Sequence, residues 1–246
     1  MKRDSLPLEY PDLDFSRMKI YLLEGTNKLL ASMSPESSKS AKRYLKAMGV
    51  IVKTNTIVKE YDGEKVLLEG GAVIASALVV WAAGVKGNVP AGMDPLFLSR
   101  SNQLKTDLFN KVMATENIYA IGDIALIESK LHPKGFPQLA SVAIDQARNV
   151  ANNFKRLAKN NKMVPFQYVN KGSMATVGRN KAVVDLVNPA VSFKGFFAWL
   201  LWMTLHLFLL IGFKNKLIVF INWVYKYFTH RQSLSLLFES LARKRK

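Results

Sequence analysis

The sequence predicts an α/β fold in which a parallel sheet packs against helices and a small antiparallel β-excursion interrupts the order. Two short, largely apolar runs, 18–23 and 118–121, are each followed directly by an acidic residue and a glycine, and a helical pattern comes after each pair. Continuous apolar runs of this length are typical of strands buried on both faces of a parallel sheet. The alternating residues 54–74, with Asp62-Gly63 between their two halves, predict the antiparallel excursion.

The composition is strongly basic. The 246 residues contain 35 Lys and Arg against 18 Asp and Glu, which gives a formal net charge of +17. Such an excess calls for an anionic partner, and nucleic acid and anionic membrane are the two candidates. In the C-terminal quarter the basic residues lie among aromatic and aliphatic runs and continue to the last four residues, 243–246. That mixture favours a membrane surface, and no known nucleic-acid-binding motif is visible.

Several kinds of chemistry are excluded by the residue types present. Without cysteine, the chain cannot form disulfides, thiolate metal sites or a dithiol redox centre of its own. The histidines, His132, His206 and His230, lack the spacing of metal ligands, so we expect no metal site. The N-terminal segment lacks the apolar core of a signal peptide, and a cytoplasmic location is therefore the default expectation.

The first strand–helix–strand unit begins with the apolar run 18–23 and ends with a short strand at residues 50–52. Between them, Ser34 followed by Pro35 is typical of a helix N-cap and first helical position, and Gly49 is typical of a helix end. We therefore expect one helix between two strands, the arrangement of a βαβ unit.

Glu24 directly follows the first of these strands. In a dinucleotide-binding βαβ unit, an acid at the end of the second strand binds the adenine-ribose hydroxyls and disfavours a 2′-phosphate. Glu24 is placed where that acid would be. The alternative is that it is a solvated turn residue.

A further apolar run, 77–81, leads straight into the small residues Ala82, Ala83 and Gly84. We expect a buried strand followed by a backbone that passes close to a flat ligand, because small side chains leave room for one. The alternative is a tight strand-to-loop turn.

Gly122 and Asp123 directly follow the apolar run 118–121, at the carboxyl end of the predicted strand, where an open α/β sheet presents groups to a ligand. Glycine permits a ligand to come close to the backbone, and aspartate supplies a hydrogen-bond acceptor for a sugar-like hydroxyl. A helix with alanine on one face follows, starting near Ala140 and Ser141, and its N-terminal dipole would suit a partly negative ring. The alternative is an ordinary β-loop-α unit in which Asp123 caps a turn.

The C-terminal segment contains two apolar stretches, 196–213 and 217–228. The first is near the length of a membrane-spanning helix, and a span is one alternative. The second is too short to span and carries a polar stripe formed by Asn222, Lys226 and either Thr229 or His230. Basic residues flank both ends of the first stretch. We expect two helices lying in the headgroup plane, the remaining alternative being buried helices of a soluble core.

Several of these segments, taken in order, resemble the later half of type II NADH dehydrogenase. The resemblance covers most of residues 18–230. Its most specific part is the block 168–206, which is not shared with soluble relatives such as dithiol reductases. The segments that carry the resemblance are 23–25, 79–85, 117–123, Tyr168, 171–179, 182–185, 195–202 and His206.

The resemblance implies non-covalently bound FAD, NADH as hydride donor, a membrane quinone as acceptor, and no proton pumping. It implies parts of two Rossmann-like domains: residues 1–92 from the NADH-binding domain, 93–164 from the FAD-binding domain, and 165–246 as a quinone-site and membrane-anchor region. The protein would be attached peripherally to the cytoplasmic face of the cell membrane, on an anionic surface, and both a single chain and a homodimer are left open.

The resemblance also implies site residues. Asp123 would bond the ribityl chain of FAD, and Ala140 and Ser141 would face the flavin pyrimidine. The quinone side is less defined, because the usual Ala-Gln-x-x-x-Gln run is replaced here and Gln146 lies one place beyond the expected position. No side chain is assigned to nucleophilic or acid–base catalysis. The cofactor-binding set is Gly122, Asp123, Ala140, Ser141, Glu24, Ala83 and Gly84, and the quinone-side set is Gln138, Gln146 and Lys171.

One departure from the family concerns completeness. Neither glycine-rich G-x-G-x-x-G fingerprint is present, so we expect a C-terminal fragment that binds neither dinucleotide well alone. A non-catalytic, membrane-associated module is therefore a competing interpretation. A sulfide:quinone reductase is a third, disfavoured because that chemistry needs sulfur-bearing side chains near the flavin and the chain contains no cysteine.

Overall fold

The computed structural model describes residues 6–130 and 132–229. They form two compact units: the first comprises the described residues up to Leu78 together with those from Lys171 onward, and the second is Val79–Asn170. Short 3-10 helices occupy Phe15–Arg17, Pro95–Phe97 and Gly122–Ile124. The α-helices and β-strands in chain order are α1 (Leu6–Glu9), β1 (Ile20–Leu23), α2 (Pro35–Ala47), β2 (Val50–Lys53), β3 (Val58–Tyr61), β4 (Lys65–Leu68), β5 (Val73–Ala75), β6 (Leu104–Thr106), β7 (Ala125–Ile127), α3 (Ala140–Leu157), β8 (Ser173–Gly178), β9 (Lys181–Asp185), β10 (Ser192–Gly195), α4 (Phe196–Leu209) and α5 (Phe213–Thr229).

The first unit contains the expected strand–helix–strand arrangement. β1 and β2 pair in parallel, with Ile20 opposite Val50. Ser34 caps α2, since its hydroxyl accepts a hydrogen bond from the backbone N–H of Ser37 at 3.2 Å, and Pro35 lies in the first turn. The local signals therefore place this helix correctly, because capping and proline act through the backbone of the helix start itself.

The antiparallel excursion is also present. β3, β4 and β5 form a three-stranded antiparallel sheet in that order. The turn between β3 and β4 is closed by Asp62, whose Oδ1 accepts from the N–H groups of Glu64 at 2.8 Å and Lys65 at 2.6 Å. These hydrogen bonds lower the pKa of Asp62 below its ordinary value.

The C-terminal part of the first unit is built on a second antiparallel sheet. β9 lies between β8 and β10, and its residues Ala182, Val183 and Val184 are fully buried. Helices α2 and α4 both pack against this sheet. The sheet thus joins the N-terminal βαβ segment to the C-terminal helices within one unit.

The second unit contains a short parallel pair, β6 and β7, followed by α3. One core cluster joins Leu104 of β6 to Ala125 of β7. Another joins Ile127 of β7 to Val142 of α3 and to Phe166. These contacts hold the start of α3 beside the strand that follows Gly122 and Asp123.

The prediction of a buried strand at 118–121 is wrong. Among the described residues this segment makes one isolated bridge, and only Ala120 is buried, while Ile118 and Ile121 are 40% and 41% exposed. A strand needs a continuous backbone ladder. The continuous backbone pairing begins further along the chain, at Ala125, where β7 pairs with β6.

The strand predicted at 77–81 is absent for a similar reason. The segment has irregular structure, and Leu78, Val80 and Trp81 are exposed. No described residue pairs with it as a strand. Apolar composition alone therefore does not make a strand, because the main-chain groups also need a hydrogen-bonded neighbour.

The apolar stretch 196–213 forms α4 and the bend that follows it, and its last residue, Phe213, begins α5. α4 ends at Leu209, and α5 begins at Phe213, four residues earlier than the sequence predicts. Gly212 in the intervening bend has φ +83°. With 14 residues, α4 is about 21 Å long, shorter than a hydrocarbon core. Within residues 6–130 and 132–229 no helix is both long and apolar enough to cross a membrane. His230 and the basic terminus 243–246 lie outside the described residues.

Asp185, at the end of β9, ties the C-terminal sheet to α2. Its carboxylate accepts hydrogen bonds from the N–H of Ser34 at 2.7 Å and from the hydroxyls of Ser34, Ser37 and Ser192 at 3.0, 2.7 and 2.7 Å. Burial raises the pKa of Asp185, but the hydrogen bonds from Ser192, Ser34 and Ser37 outweigh burial, so its pKa lies below the ordinary value of 3.8.

Replacing Asp185 by asparagine is expected to lower the free energy of unfolding at neutral pH by about 2 kcal/mol, because several hydrogen bonds to a charged acceptor weaken. Since the folded-state pKa is lowered, the wild-type contribution is fully present above the unfolded-state pKa and is lost as pH falls through the folded-state pKa. Urea unfolding across this acid range measures the effect. Asp12→Asn, at an exposed carboxylate, is the control, and an unchanged acid dependence in Asp185→Asn would contradict the assignment.

Candidate functional site

Gly122 and Asp123, here called the Gly-Asp turn, connect the apolar run to β7. Gly122 has φ +72°, a conformation that residues with a side chain rarely adopt. A Cβ atom added there would lie 3.2 Å from the Cβ of Ala143. The Gly-Asp turn therefore lies directly against the first turn of α3, and glycine is required for that approach.

The start of α3 presents unpaired backbone donors. The helix begins at Ala140, as predicted, and its N-cap residue, Leu139, makes no side-chain cap hydrogen bond. Ala140 and Ser141 are exposed, and the first turn contains no acidic residue. The first N–H groups of a helix lack intrahelical partners and carry the positive end of its dipole. This helix end is therefore suited to a group with partial negative charge.

Asp123 combines an exposed side chain with a fixed backbone. Asp123 is exposed to solvent, whereas its carbonyl oxygen accepts two side-chain hydrogen bonds. An exposed carboxylate on a fixed backbone is a good acceptor for hydroxyl groups. The turn and the helix start together suit a ligand that has both hydroxyls and an electron-rich ring.

Gln146 occupies the space behind the Gly-Asp turn. Its side chain is 2% exposed, and its Oε1 accepts a hydrogen bond from the N–H of Gly122 at 2.6 Å. The sequence predicts this residue on the quinone side. In the structure it contacts the turn, and its burial leaves almost no surface for a ligand.

Two more glutamines hold the turn from other directions. Nε2 of Gln138 donates to the carbonyl oxygen of Asp123 at 2.8 Å, and Nε2 of Gln103 donates to the same oxygen at 3.0 Å. We call Gln103, Gln138 and Gln146 the amide clamp. Sequence reasoning missed Gln103 altogether, because nothing in a single sequence marks a glutamine 20 residues away from the group it contacts.

Glu24 lies in the first unit, at the end of β1, where the sequence predicts it. Its backbone N–H donates to the carbonyl oxygen of Lys53 at 2.9 Å, which extends the parallel pairing by one residue. Its Oε1 accepts from the N–H and the hydroxyl of Thr26 at 2.8 and 2.9 Å. One carboxylate oxygen thus closes a local turn.

The remaining predicted site residues are exposed. Ala83 and Gly84 lie in irregular chain of the second unit, and an added Cβ at Gly84 would have no neighbour within 4 Å. Lys171 lies two residues before β8 in the first unit. All three are therefore open to a ligand from solvent.

Within residues 6–130 and 132–229 no group of three or more histidine, cysteine, aspartate or glutamate residues is arranged to hold a metal ion. His206, on α4, stacks on Trp202 at a ring distance of 3.8 Å, and its Nδ1 lies 2.8 Å from the carbonyl oxygen of the same residue. This histidine is therefore engaged within its own helix.

The C-terminal helices carry a largely exposed apolar surface. α5 has no buried residue, and Ile211 and Phe213, at the bend, are 89% and 80% exposed. An apolar cavity of about 270 Å³ lies between α4 and α5. Arg179 holds α5 to the sheet, because its guanidinium donates to the carbonyl oxygen of Tyr227 and stacks over that ring at 4.3 Å.

Comparisons with known proteins cover both units. Residues 13–147 match the pyridine nucleotide-disulphide oxidoreductase family, and residues 170–232 match the NDH2 C-terminal domain. A type II NADH:quinone oxidoreductase of Mycobacterium tuberculosis is 33% identical over 89% of this chain and 48% of its own length. The corresponding protein of Haemophilus influenzae is 30% identical over 80% and 45%. The chain thus spans about half the length of these relatives.

Solved structures agree on the fold. The structure of NDH2 from Plasmodium falciparum in complex with NADH has a TM-score of 0.79 at 19% identity and covers 94% of this chain and 62% of its own. The sulfide:quinone oxidoreductase of Aquifex aeolicus has a TM-score of 0.62 at 15% identity, with 91% and 56% covered. By its family matches, the chain belongs to the pyridine nucleotide-disulphide oxidoreductase family, and its C-terminal part matches the C-terminal domain of the type II NADH dehydrogenases (NDH2).

Proposed function

We propose that this chain forms part of a respiratory, FAD-dependent enzyme that catalyses NADH + H⁺ + quinone → NAD⁺ + quinol without pumping protons. The observation that carries the proposal is the Gly-Asp turn, held against the uncapped start of α3. The match of residues 170–232 to the NDH2 C-terminal domain supports the same reaction class. When bound, FAD would supply the two-electron chemistry between NADH and the quinone.

The residues at the turn fit the flavin end of FAD. Asp123 would accept hydrogen bonds from ribityl hydroxyls, because its carboxylate is exposed while its backbone is fixed. The N–H groups of Ala140 and Ser141 would stabilise negative charge on the reduced ring. The sequence contains no G-x-G-x-x-G loop, so it provides no such cradle for a pyrophosphate.

The other predicted site residues remain proposals. Glu24, Ala83 and Gly84 are proposed dinucleotide contacts, and Lys171 and Gln138 are proposed on the quinone side. Glu24 retains one carboxylate oxygen outside its turn for a ribose hydroxyl. The proposed domain parts remain 1–92, 93–164 and 165–246, and a homodimer remains part of the proposal.

We propose that α4 and α5 attach the protein peripherally to the cytoplasmic face of the membrane. Their exposed apolar side chains would enter the acyl boundary, and the basic residues near their ends, Lys194, Lys214 and Lys216, would meet anionic headgroups. The apolar cavity between the helices would give a quinone a route from the lipid.

The competing proposal is a non-catalytic membrane-associated module. It is favoured by the absence of both glycine-rich fingerprints from the sequence. A sulfide:quinone reductase is disfavoured by the absence of cysteine.

Purification of the 246-residue chain, and of the full protein encoded by its gene, tests these proposals. We expect the encoded protein to carry flavin and to reduce a soluble quinone analogue with NADH, while sulfide fails to replace NADH. Bound flavin is measured by visible absorbance after gel filtration. NADH-driven turnover by the 246-residue chain alone would exclude the module, whereas absence of flavin and turnover from both preparations would exclude the enzyme.

A further inference from the structure

We propose that the amide clamp positions the Gly-Asp turn for flavin binding, so that its three glutamines act on the flavin through the backbone of the turn and not by touching the flavin. This inference rests on the proposed function, since the turn is the proposed flavin contact. It assigns Gln103, Gln138 and Gln146 as positioning residues.

A buried contact joins the Gly-Asp turn to α3 from behind. Gln146 belongs to α3, whereas Gly122 belongs to a different segment, and their hydrogen bond of 2.6 Å joins the two. Because Gln146 is 2% exposed, water does not readily replace its acceptor oxygen. This bond therefore fixes the distance between the turn and the helix start.

The clamp also restricts the backbone that carries Asp123. The hydrogen bond from Gly122 N–H fixes the peptide group that precedes the Gly-Asp turn, and the bonds to the Asp123 carbonyl fix the peptide group that follows it. The two fixed peptide groups lie on either side of the turn, and Asp123 within it is exposed. The clamp thus preorganises the backbone from which the Asp123 side chain extends, without touching its carboxylate.

The three glutamines of the clamp come from three different segments of the chain. Gln103 directly precedes β6, Gln138 lies in the loop before α3, and Gln146 lies within α3. Gln103 is itself buried and accepts from the hydroxyl of Ser101 at 2.7 Å, so its amide is held in place. Hydrogen bonds from three segments meet at this two-residue turn. Together they restrict the turn more than the short 3-10 helix at Gly122–Ile124 would restrict it alone.

The decisive variant is Gln146→Leu, which removes the acceptor and keeps similar bulk. We expect amide hydrogen exchange at Gly122 to become roughly 10-fold faster and flavin retention to fall by roughly the same factor. Gln146→Glu keeps an acceptor oxygen and should restore much of the protection of Gly122. Gln138→Leu, at a less buried position, removes one of two donors and should give a smaller loss in the same direction.

The experiment uses the full protein encoded by the gene, with Asn152→Leu as the control on an exposed position of α3. Exchange is read by mass spectrometry on peptides that cover the turn and, separately, the end of α3. The visible circular dichroism of bound flavin is recorded as well, because a change in that signal reports altered ring surroundings and not merely lower stability.

The outcomes separate this inference from the proposed function. Faster exchange at the turn, with lower flavin retention or an altered flavin spectrum, supports the clamp. Unchanged exchange at Gly122 in a folded Gln146→Leu protein overturns it, as does faster exchange with flavin retention and spectrum unchanged. If the wild-type protein carries no flavin, the proposed function fails, and with it the flavin role of the clamp; the exchange data then decide only whether the clamp holds the turn.

Discussion

Replacing Asp123 by alanine is expected to reduce flavin affinity roughly 10- to 100-fold while leaving the protein folded. The loss follows because hydrogen bonds to a carboxylate contribute about 1.5–3 kcal/mol, and each 1.4 kcal/mol changes an equilibrium constant tenfold. Folding should survive because the side chain is exposed and the clamp holds only the backbone of this residue. Flavin content after gel filtration and fluorescence titration of the apoprotein with FAD measure the effect.

Glu128→Gln is the matched control for this experiment. Glu128 is an exposed carboxylate directly after β7, five residues beyond Asp123 and in the same unit. The substitution removes one negative charge from the same region and leaves the Gly-Asp turn unchanged. Equal loss of flavin in both variants would show that net charge, and not a specific contact, governs binding.

Introducing two acidic residues at the bend between α4 and α5, as Ile211→Glu with Phe213→Glu, is expected to weaken membrane binding at least ~100-fold. Transferring an apolar side chain of this size contributes about 1.5–3 kcal/mol, and both positions are almost fully exposed in the structure. The added negative charges also oppose an anionic surface. Co-sedimentation with vesicles that contain anionic phospholipid measures the binding.

The control for membrane binding places the same charges elsewhere. Leu13→Glu with Leu96→Glu replaces exposed apolar residues outside α4 and α5 and should leave vesicle binding nearly unchanged. Deletion of residues 195–246 should release the protein completely. Retention of the Ile211/Phe213 variant and of the deletion on vesicles would show that another surface mediates attachment.

The sequence predicted those parts of the fold whose signals are local. Ser34 and Pro35 define the start of α2 through backbone capping, and Asp62-Gly63 defines the first turn of the antiparallel excursion. The start of α3 at Ala140 was predicted equally well. In each case the residues that carry the signal are the residues that adopt the conformation.

The apolar runs were less informative, because hydrophobicity predicts burial only when a neighbour is available. Residues 77–81 and 118–121 are both apolar, yet neither forms a strand. The run 196–213 is continuous in sequence, but its helix, α4, ends at Leu209 and a bend at 210–212 follows. Pairing and bending depend on the surrounding chain, which periodicity does not describe.

By itself the sequence determined the family resemblance, the Gly-Asp pair and the basic, aromatic character of the C-terminal segment, because residue type and order carry these properties directly. Only the tertiary structure decided that Gln103, Gln138 and Gln146 converge on the Gly-Asp turn. It also decided that Asp185 bonds to Ser34, 151 residues away in sequence. Such contacts join segments that are distant along the chain, and their geometry is fixed by packing, which no local pattern specifies.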